Sequence, residues 1–503
     1  MKKLTIALLA VLSALGLMAP SAVLAAGPPA NSLSFDSGAV FKTPVPHLSL
    51  VRGAGTAVES AGGLSDSAAL SGEPYSVGTV VTPTTTAPEG EEHIAVNPSN
   101  PTQLVATISD FSLRGGWNTT KYAVFDGRGA SPTWTESFVP LNGGQQPTTS
   151  DGNVWEANSD PTVAIDRSGN VYLANLYLNG SNFANGLYVG VGRISAGSVS
   201  AGYPVVPPNL SPTSDVLEDK EWIAVDNSVP VGNVYVSWTR FEGYSGLTPF
   251  SSFIMISSSS NRGKTWSTPL QVNSPAQNGA VQGSQVAVGP DGTIYVAYEV
   301  FYTGGKAQIF VARSTAPRVL RFSEPVAASP VFKYVNFKSN YRKNSFPALA
   351  INQGGPYAGY VYLLYAQQNG GSGADVEFVR SSAPGGSAFT SPVTINDVPD
   401  GQQFFPAIAT DSTGAIHASW FDTRLYSSSD QYDIYATYSL DNGASFAQNA
   451  RVTTSPGISN VPGDFIGDYS GIAAGNRIAH PVWTSGALSE GGRLQTASLT
   501  IPP

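Results

Sequence analysis

Glu221-Trp-Ile-Ala-Val-Asp226, followed seven residues later by Asn233-Val-Tyr-Val-Ser-Trp238, reads as two short strands joined by a turn. The phrase opens at Glu92 to Val96 and returns at Asp160 to Asp166 with Gly169 to Leu173. It recurs at Gln285 to Val288 with Thr293 to Tyr298, and at Phe346 to Ala350 with Tyr360 to Tyr365. Phe405 to Ala409 with Ala415 to Trp420, and Tyr469 to Ala473 with Arg477 to Trp483, complete the series. The matching apolar positions are Ile94, Val163, Ile223, Val286, Leu349, Ile408 and Ile472, so six intervals cover 378 residues at a mean of 63. A repeat of that length, holding about four short strands, is the period of a β-propeller blade.

Later strands of the repeat are visible where Asp433 to Ser439 alternates, turns through Asp441-Asn-Gly443 and resumes near Ala450 to Thr453. The last repeat offers a third strand at Arg493 to Thr500 and then ends. Its fourth strand is expected from Tyr75 to Thr82, pairing the two termini and leaving no open sheet edge. The fold class is therefore all-β, a propeller of seven four-stranded blades, with six as the alternative if a terminal copy is incomplete.

A chain of 503 residues exceeds one ordinary compact domain, which agrees with a repeat-built one. With no cysteine it has no disulfide scaffold, thiolate zinc site, cysteine nucleophile or lipoprotein anchor. A net charge of -9 argues against nucleic acid as a partner. Lys2 and Lys3, the apolar run Leu4 to Met18 and small residues at Val23 and Ala25 read as a signal peptide over 1–25. Residues 26–75 read as a flexible arm or propeptide rich in Gly, Ser, Ala and Pro, and 76–503 as the propeller. The mature chain is expected to be secreted or periplasmic, monomeric and without a membrane span.

Two turns carry a sharper signature. Ser259-Ser-Asn-Arg-Gly-Lys-Thr-Trp266 and Ser439-Leu-Asp-Asn-Gly-Ala-Ser-Phe446 both fit Ser-x-Asp/Asn-x-Gly-x-Thr/Ser-aromatic. The Asp or Asn ties down the turn's amides, glycine supplies a positive φ, and the aromatic packs beneath. The pattern resembles the Asp-box of the sialidase (BNR-repeat) propellers, over about residues 77 to 500. Because such turns lie on the face opposite the usual site, they speak for fold more than chemistry.

The opposite face is built from residues just before the first strand and just after the second strand of each repeat. Glu91, Glu92, His93, Asp160, Asp219, Lys220, Glu221, Gln282, Arg342, Asn344, Asp468 and Tyr469 fall in the first group. Asp110, Arg114, Arg240, Glu299, Tyr302, Asp422 and Arg424 fall in the second. In a chain only 12% charged, such convergence calls for ion pairs or a ligand.

The resemblance implies a sialidase-type glycoside hydrolase acting on terminal acidic sugars, with a glycan as partner. Three arginines would hold the substrate carboxylate, a Tyr beside a Glu would be the nucleophile, and an Asp the acid/base. By position these are Arg240, Arg342 and Arg424, then Tyr469 with Glu299, and Asp110 or Asp160. The chain lacks the family's Arg-Ile-Pro stretch, to which Arg114 stands nearest.

Two other functions compete. A non-catalytic glycan-binding propeller would use Trp117, Tyr177, Phe241, Tyr244 and Tyr302 as exposed stacking platforms. A polysaccharide lyase would need a rim histidine, and His93 alone qualifies, since His417 and His480 fall mid-strand and His47 in the arm. No cofactor is expected. A Ca²⁺ ion among Glu92, Asp160, Asp219, Glu221 and Asp468 would suit their hard oxygens, but without an EF-hand spacing an ion-pair network is favoured.

Overall fold

Seven antiparallel sheets, each of four or five strands, follow one another along the chain as the blades of a propeller. The structure, a computed structural model, describes residues 79–82, 89–110, 119–127, 133–140, 155–178, 184–200, 202–206, 215–230, 232–243, 250–337, 343–369, 373–426, 430–458, 466–484 and 493–501. The expected signal peptide and arm lie outside these residues.

The inner strands are Glu89–Asn97, Ala157–Ile165, Val216–Val225, Val281–Val288, Ala348–Ile351, Gln403–Thr410 and Gly471–Gly475. Each touches the next, and the last touches the first, so they ring a central channel. Blade 7 draws its outermost strand from the other end of the chain. Thr79 pairs with Thr496 and Val80 with Gln495, the closure that the truncated last repeat calls for.

Alternation explains which side chains fill the space between blades. The aromatic that ends the repeated phrase falls in the second strand as Trp238, Tyr298, Tyr365, Trp420 and Trp483, each under 2% exposed. Truncating one of these tryptophans to Ala would cost about 3–5 kcal/mol. Two of them also anchor a polar clip. Trp238 donates its indole N–H to Glu218 at 2.5 Å, and Trp420 donates to Asp422 at 2.9 Å.

The turns between the first and second strands are closed by a recurring acid or amide. Asp166 accepts the N–H groups of Ser168 and Asn170, both at 2.9 Å, and the Tyr172 hydroxyl at 3.0 Å. Asp411 does the same for Thr413, Ala415 and the His417 ring. Burial alone would raise the Asp411 carboxyl; hydrogen bonds from His417 and Thr413 outweigh it and hold the group well below the usual range. On the outer hairpins, Ser439 Oγ and Asp441 Oδ1 lie 2.8 Å apart, and Gly443 and Ser445 donate their N–H groups into this turn. Asn261 and Ser259 are bonded alike, and Phe446 packs edge-on to Phe378 at 5.0 Å.

Candidate functional site

Five of the seven inner strands break register at the same place, where two residues oppose one on the second strand. The pairs are Glu91-Glu92, Asp160-Pro161, Lys220-Glu221, Gly283-Ser284 and Phe405-Pro406. In each the first residue has a positive φ: 63° at Glu91, 53° at Asp160, 55° at Lys220, 69° at Gly283 and 48° at Phe405. A β-bulge bends the strand and re-aims the side chains on either side of it. Residues other than glycine hold this conformation at a cost of about 1–2 kcal/mol each. Repeated around the ring, the bulges gather polar groups at one mouth of the channel.

That mouth collects Glu91, Glu92, Asp160, Asp219, Glu221 and Asp468, all at most 5% exposed. Burial, then the charge and hydrogen bond of Asp160, push the Glu91 carboxyl well above the usual carboxylate range. Burial pushes Asp219 up to about 8 against the opposing pull of Lys220, and Glu92 up to about 8 as well. Glu221 is raised by burial and then by Asp160, and neither of its oxygens has a hydrogen-bond partner among the described residues. Acids packed this closely cannot all ionise, so they share protons near neutral pH. The cation among them is Lys220, whose ammonium pairs with Asp468. Among the described residues no group of three or more His, Cys, Asp or Glu is arranged to hold a metal ion.

Tyr469 lies half-buried over the channel, its hydroxyl donating to the Pro161 carbonyl at 3.2 Å. Its ring meets Trp222 edge-on at 5.5 Å, and Trp222 meets His93 edge-on at 4.6 Å. Burial, then Glu91, Asp160, Glu221 and Glu92, hold the phenol well above its ordinary value, so it keeps its proton. His93 accepts the Val163 N–H on Nδ1 at 3.2 Å, and burial lowers its ring to about 4. The proton of the neutral ring is then on Nε2. Gly467 brings this segment close, since a Cβ there would stand 2.6 Å from the Glu91 nitrogen, and its φ of 102° suits glycine. Below the aromatic layer lies a cavity of about 270 Å³, walled by Ile94, Val163, Trp222, Leu349, Ile408 and Ile472.

Of the residues singled out from sequence, Tyr469 and Asp160 come together here. Asp110 is elsewhere employed, 2.6 Å from Lys121, which also reaches Glu89 at 3.4 Å. Glu299 is fully buried in the second strand of blade 4, opposite Gln282 and Ile309, with no partner for either oxygen among the described residues. The charges around Tyr469 come from the first, second and third inner strands, and Glu299 is not among them.

Arg240 spends Nε and Nη2 on Glu218, at 2.9 and 2.5 Å from Oε1. Arg424 binds Asp422, Asp397 and Asn449 and stacks over Tyr435 at 4.0 Å. Each arginine thus completes the clip begun by the tryptophan of its own blade. Arg342 and Arg114 lie outside the described residues, as do Trp117 and Tyr244. Tyr177 and Phe241, expected as exposed platforms, are instead core residues at 0% and 3% exposure, because strand alternation turns both into the blade interface. Tyr302 is half-buried, its hydroxyl on Gln308. His417 and His480 are packed, as their mid-strand positions imply.

Sequence reasoning placed Glu91, Glu92, Asp219, Lys220, Glu221 and Asp468 on this rim without assigning them a catalytic role. The available signal was proline: Pro161 and Pro406 stand inside inner strands, where a residue without an N–H fits a bulge.

No family model matches the chain, and no curated protein matches it. Among solved structures it is similar to a Hadza microbial sialidase, at 12% identity and a TM-score of 0.45, over 76% of each chain. A protein of unknown function from Dyadobacter fermentans aligns at 12% identity and a TM-score of 0.47, over 73% of this chain and 99% of that one. The GH93 α-L-arabinofuranosidase of Fusarium graminearum aligns at 11% identity and 0.43, over 75% and 97%. Likeness at this level assigns no activity.

Proposed function

We propose that the protein is a carbohydrate-active propeller, a sialidase-like glycoside hydrolase working at the channel mouth around Tyr469. The observation that carries the reading is the placement of a half-buried tyrosine among acids that hold their protons near neutral pH. A raised carboxyl can protonate a leaving glycosidic oxygen, and an ionised neighbour can take the phenol's proton as the tyrosine attacks. Glu91, whose carboxyl burial and Asp160 raise, is suited to the first task, and Asp160, the acid whose charge acts on Glu91, Asp219, Glu221 and Tyr469, to the second. Export by the N-terminal segment would put the enzyme where such glycans are found.

Arg240 and Arg424 are bound to carboxylates of the protein, so a substrate carboxylate would depend on Arg342 and Arg114. The same observation favours a second reading, a propeller that binds glycans without cutting them.

Release of an aryl group from an α-sialoside and from neutral aryl glycosides, between about pH 4 and 8, separates these readings. A hydrolase loses about 10²–10⁴-fold in turnover with Asp160→Asn, and Tyr469→Phe abolishes turnover while binding persists. Activity on neutral glycosides alone would remove the sialidase assignment and keep the hydrolase. Binding of glycans with no hydrolysis of any would sustain the second reading.

A further inference from the structure

Lys220 occupies the bulge of the third inner strand at a φ of 55°, a conformation that costs a lysine more than a glycine. The fourth inner strand has Gly283 at the same bulge position, so the backbone alone asks for no more than glycine there. What distinguishes Lys220 is its side chain. Its ammonium reaches Asp468, 248 residues away on the segment that leads into the inner strand of blade 7. Two residues on from Lys220, the Trp222 ring meets Tyr469, the residue after Asp468. A two-point brace therefore spans the channel, an ion pair beside an edge-on aromatic contact. Blade 5 adds a third hold, since Asn344 donates to the Asp468 carbonyl at 2.7 Å.

We propose that Lys220 is the positioning residue of the channel-mouth site, holding the Asp468–Tyr469 pair against the far wall from its bulge. The assignment rests on Tyr469 being the working group of the proposed glycosidase, but the brace can be tested without turnover. Side-chain exposures of 10% and 5% place the ion pair out of bulk water, where breaking such a pair is costly. Glu91, Asp219, Glu221 and Asp468 face the ammonium, and Glu91, Glu92, Asp160 and Glu221 face the phenol. Removing the ammonium would therefore loosen Tyr469 and raise the pH at which these acids ionise.

Lys220→Gly relaxes the bulge and deletes the ammonium, whereas Lys220→Arg keeps a cation on a similar stem. Acrylamide quenching of Trp222, read as the difference between each protein and its Trp222→Phe counterpart, reports whether the ring over the channel is still covered. The expected result is at least a twofold rise in quenching for Lys220→Gly, with Lys220→Arg near the parent value. The pH midpoint of the Trp222 signal should move upward by about one unit in Lys220→Gly and return in Lys220→Arg. Parent-like quenching and an unmoved midpoint in Lys220→Gly would overturn the proposal, whatever the hydrolysis assays show. Should that variant fail to fold, Asp468→Asn severs the same pair from the other side, and unchanged quenching there would overturn it equally. If hydrolysis is found, loss in Lys220→Gly belongs in kcat more than in KM, because the brace orients a reacting group.

Discussion

At the scale of single residues, Glu299 shows how far a polar group can be separated from any use seen for it. It was a natural candidate beside Tyr469, a carboxylate at the end of the second strand of a middle repeat. Folding buries it completely, and burial alone raises its carboxyl well above the usual range. An acid whose folded value exceeds its unfolded one favours the folded state most below the unfolded value, near pH 4, and less as pH rises through the folded value. Glu299→Gln should remove about one proton from the pH dependence of unfolding between pH 5 and 8. Denaturant midpoints across that range test this, and an unchanged slope would mean that Glu299 ionises in the folded protein. Arg424 teaches the converse. Its partner Asp422 stands two residues earlier in sequence, so its commitment to the blade was a local fact.

At the scale of strands, the inner positions and buried aromatics were legible because alternation and a repeat near 63 residues state the first seven times and the second five. The bulges were not, since one extra residue leaves the composition and spacing of a strand almost unchanged. Only their flanking prolines and one glycine betray them. Gly283 makes the constraint testable: its φ is 69°, and a Cβ would fall 2.2 Å from the Phe346 ring of the next blade. Gly283→Ala is therefore expected to destabilise the protein by about 1–3 kcal/mol, through both backbone strain and overpacking. A thermal midpoint equal to the parent's would show that the bulge relaxes at no cost. The brace from Lys220 to Asp468 was illegible for another reason, because no local pattern links residues 248 positions apart.

At the scale of the whole molecule, the acids of the channel mouth and the buried histidines pull stability in opposite directions with pH. Glu91, Glu92, Asp219, Glu221 and Glu299 are all raised, mainly by burial, with Glu92 and Asp219 near 8. Their contribution is fully present below the unfolded carboxylate range and is lost as pH climbs through each folded value, near 8 for Glu92 and Asp219. His93 and His480 are lowered by burial to about 4, so theirs is present above the unfolded value near 6.5 and lost as pH falls toward 4. Five acids outweigh two histidines, so stability should peak near pH 4 to 5 and decline to pH 8. Calorimetric thermal midpoints from pH 4 to 9 check this, and a plateau from pH 6 to 8 would refute proton sharing at the mouth. A decline that survives Glu299→Gln but flattens on replacing Asp160 and Asp219 with Asn would locate the protons in the ring of bulges. The ring that closes the fold would then also set the pH range in which its channel mouth stays intact.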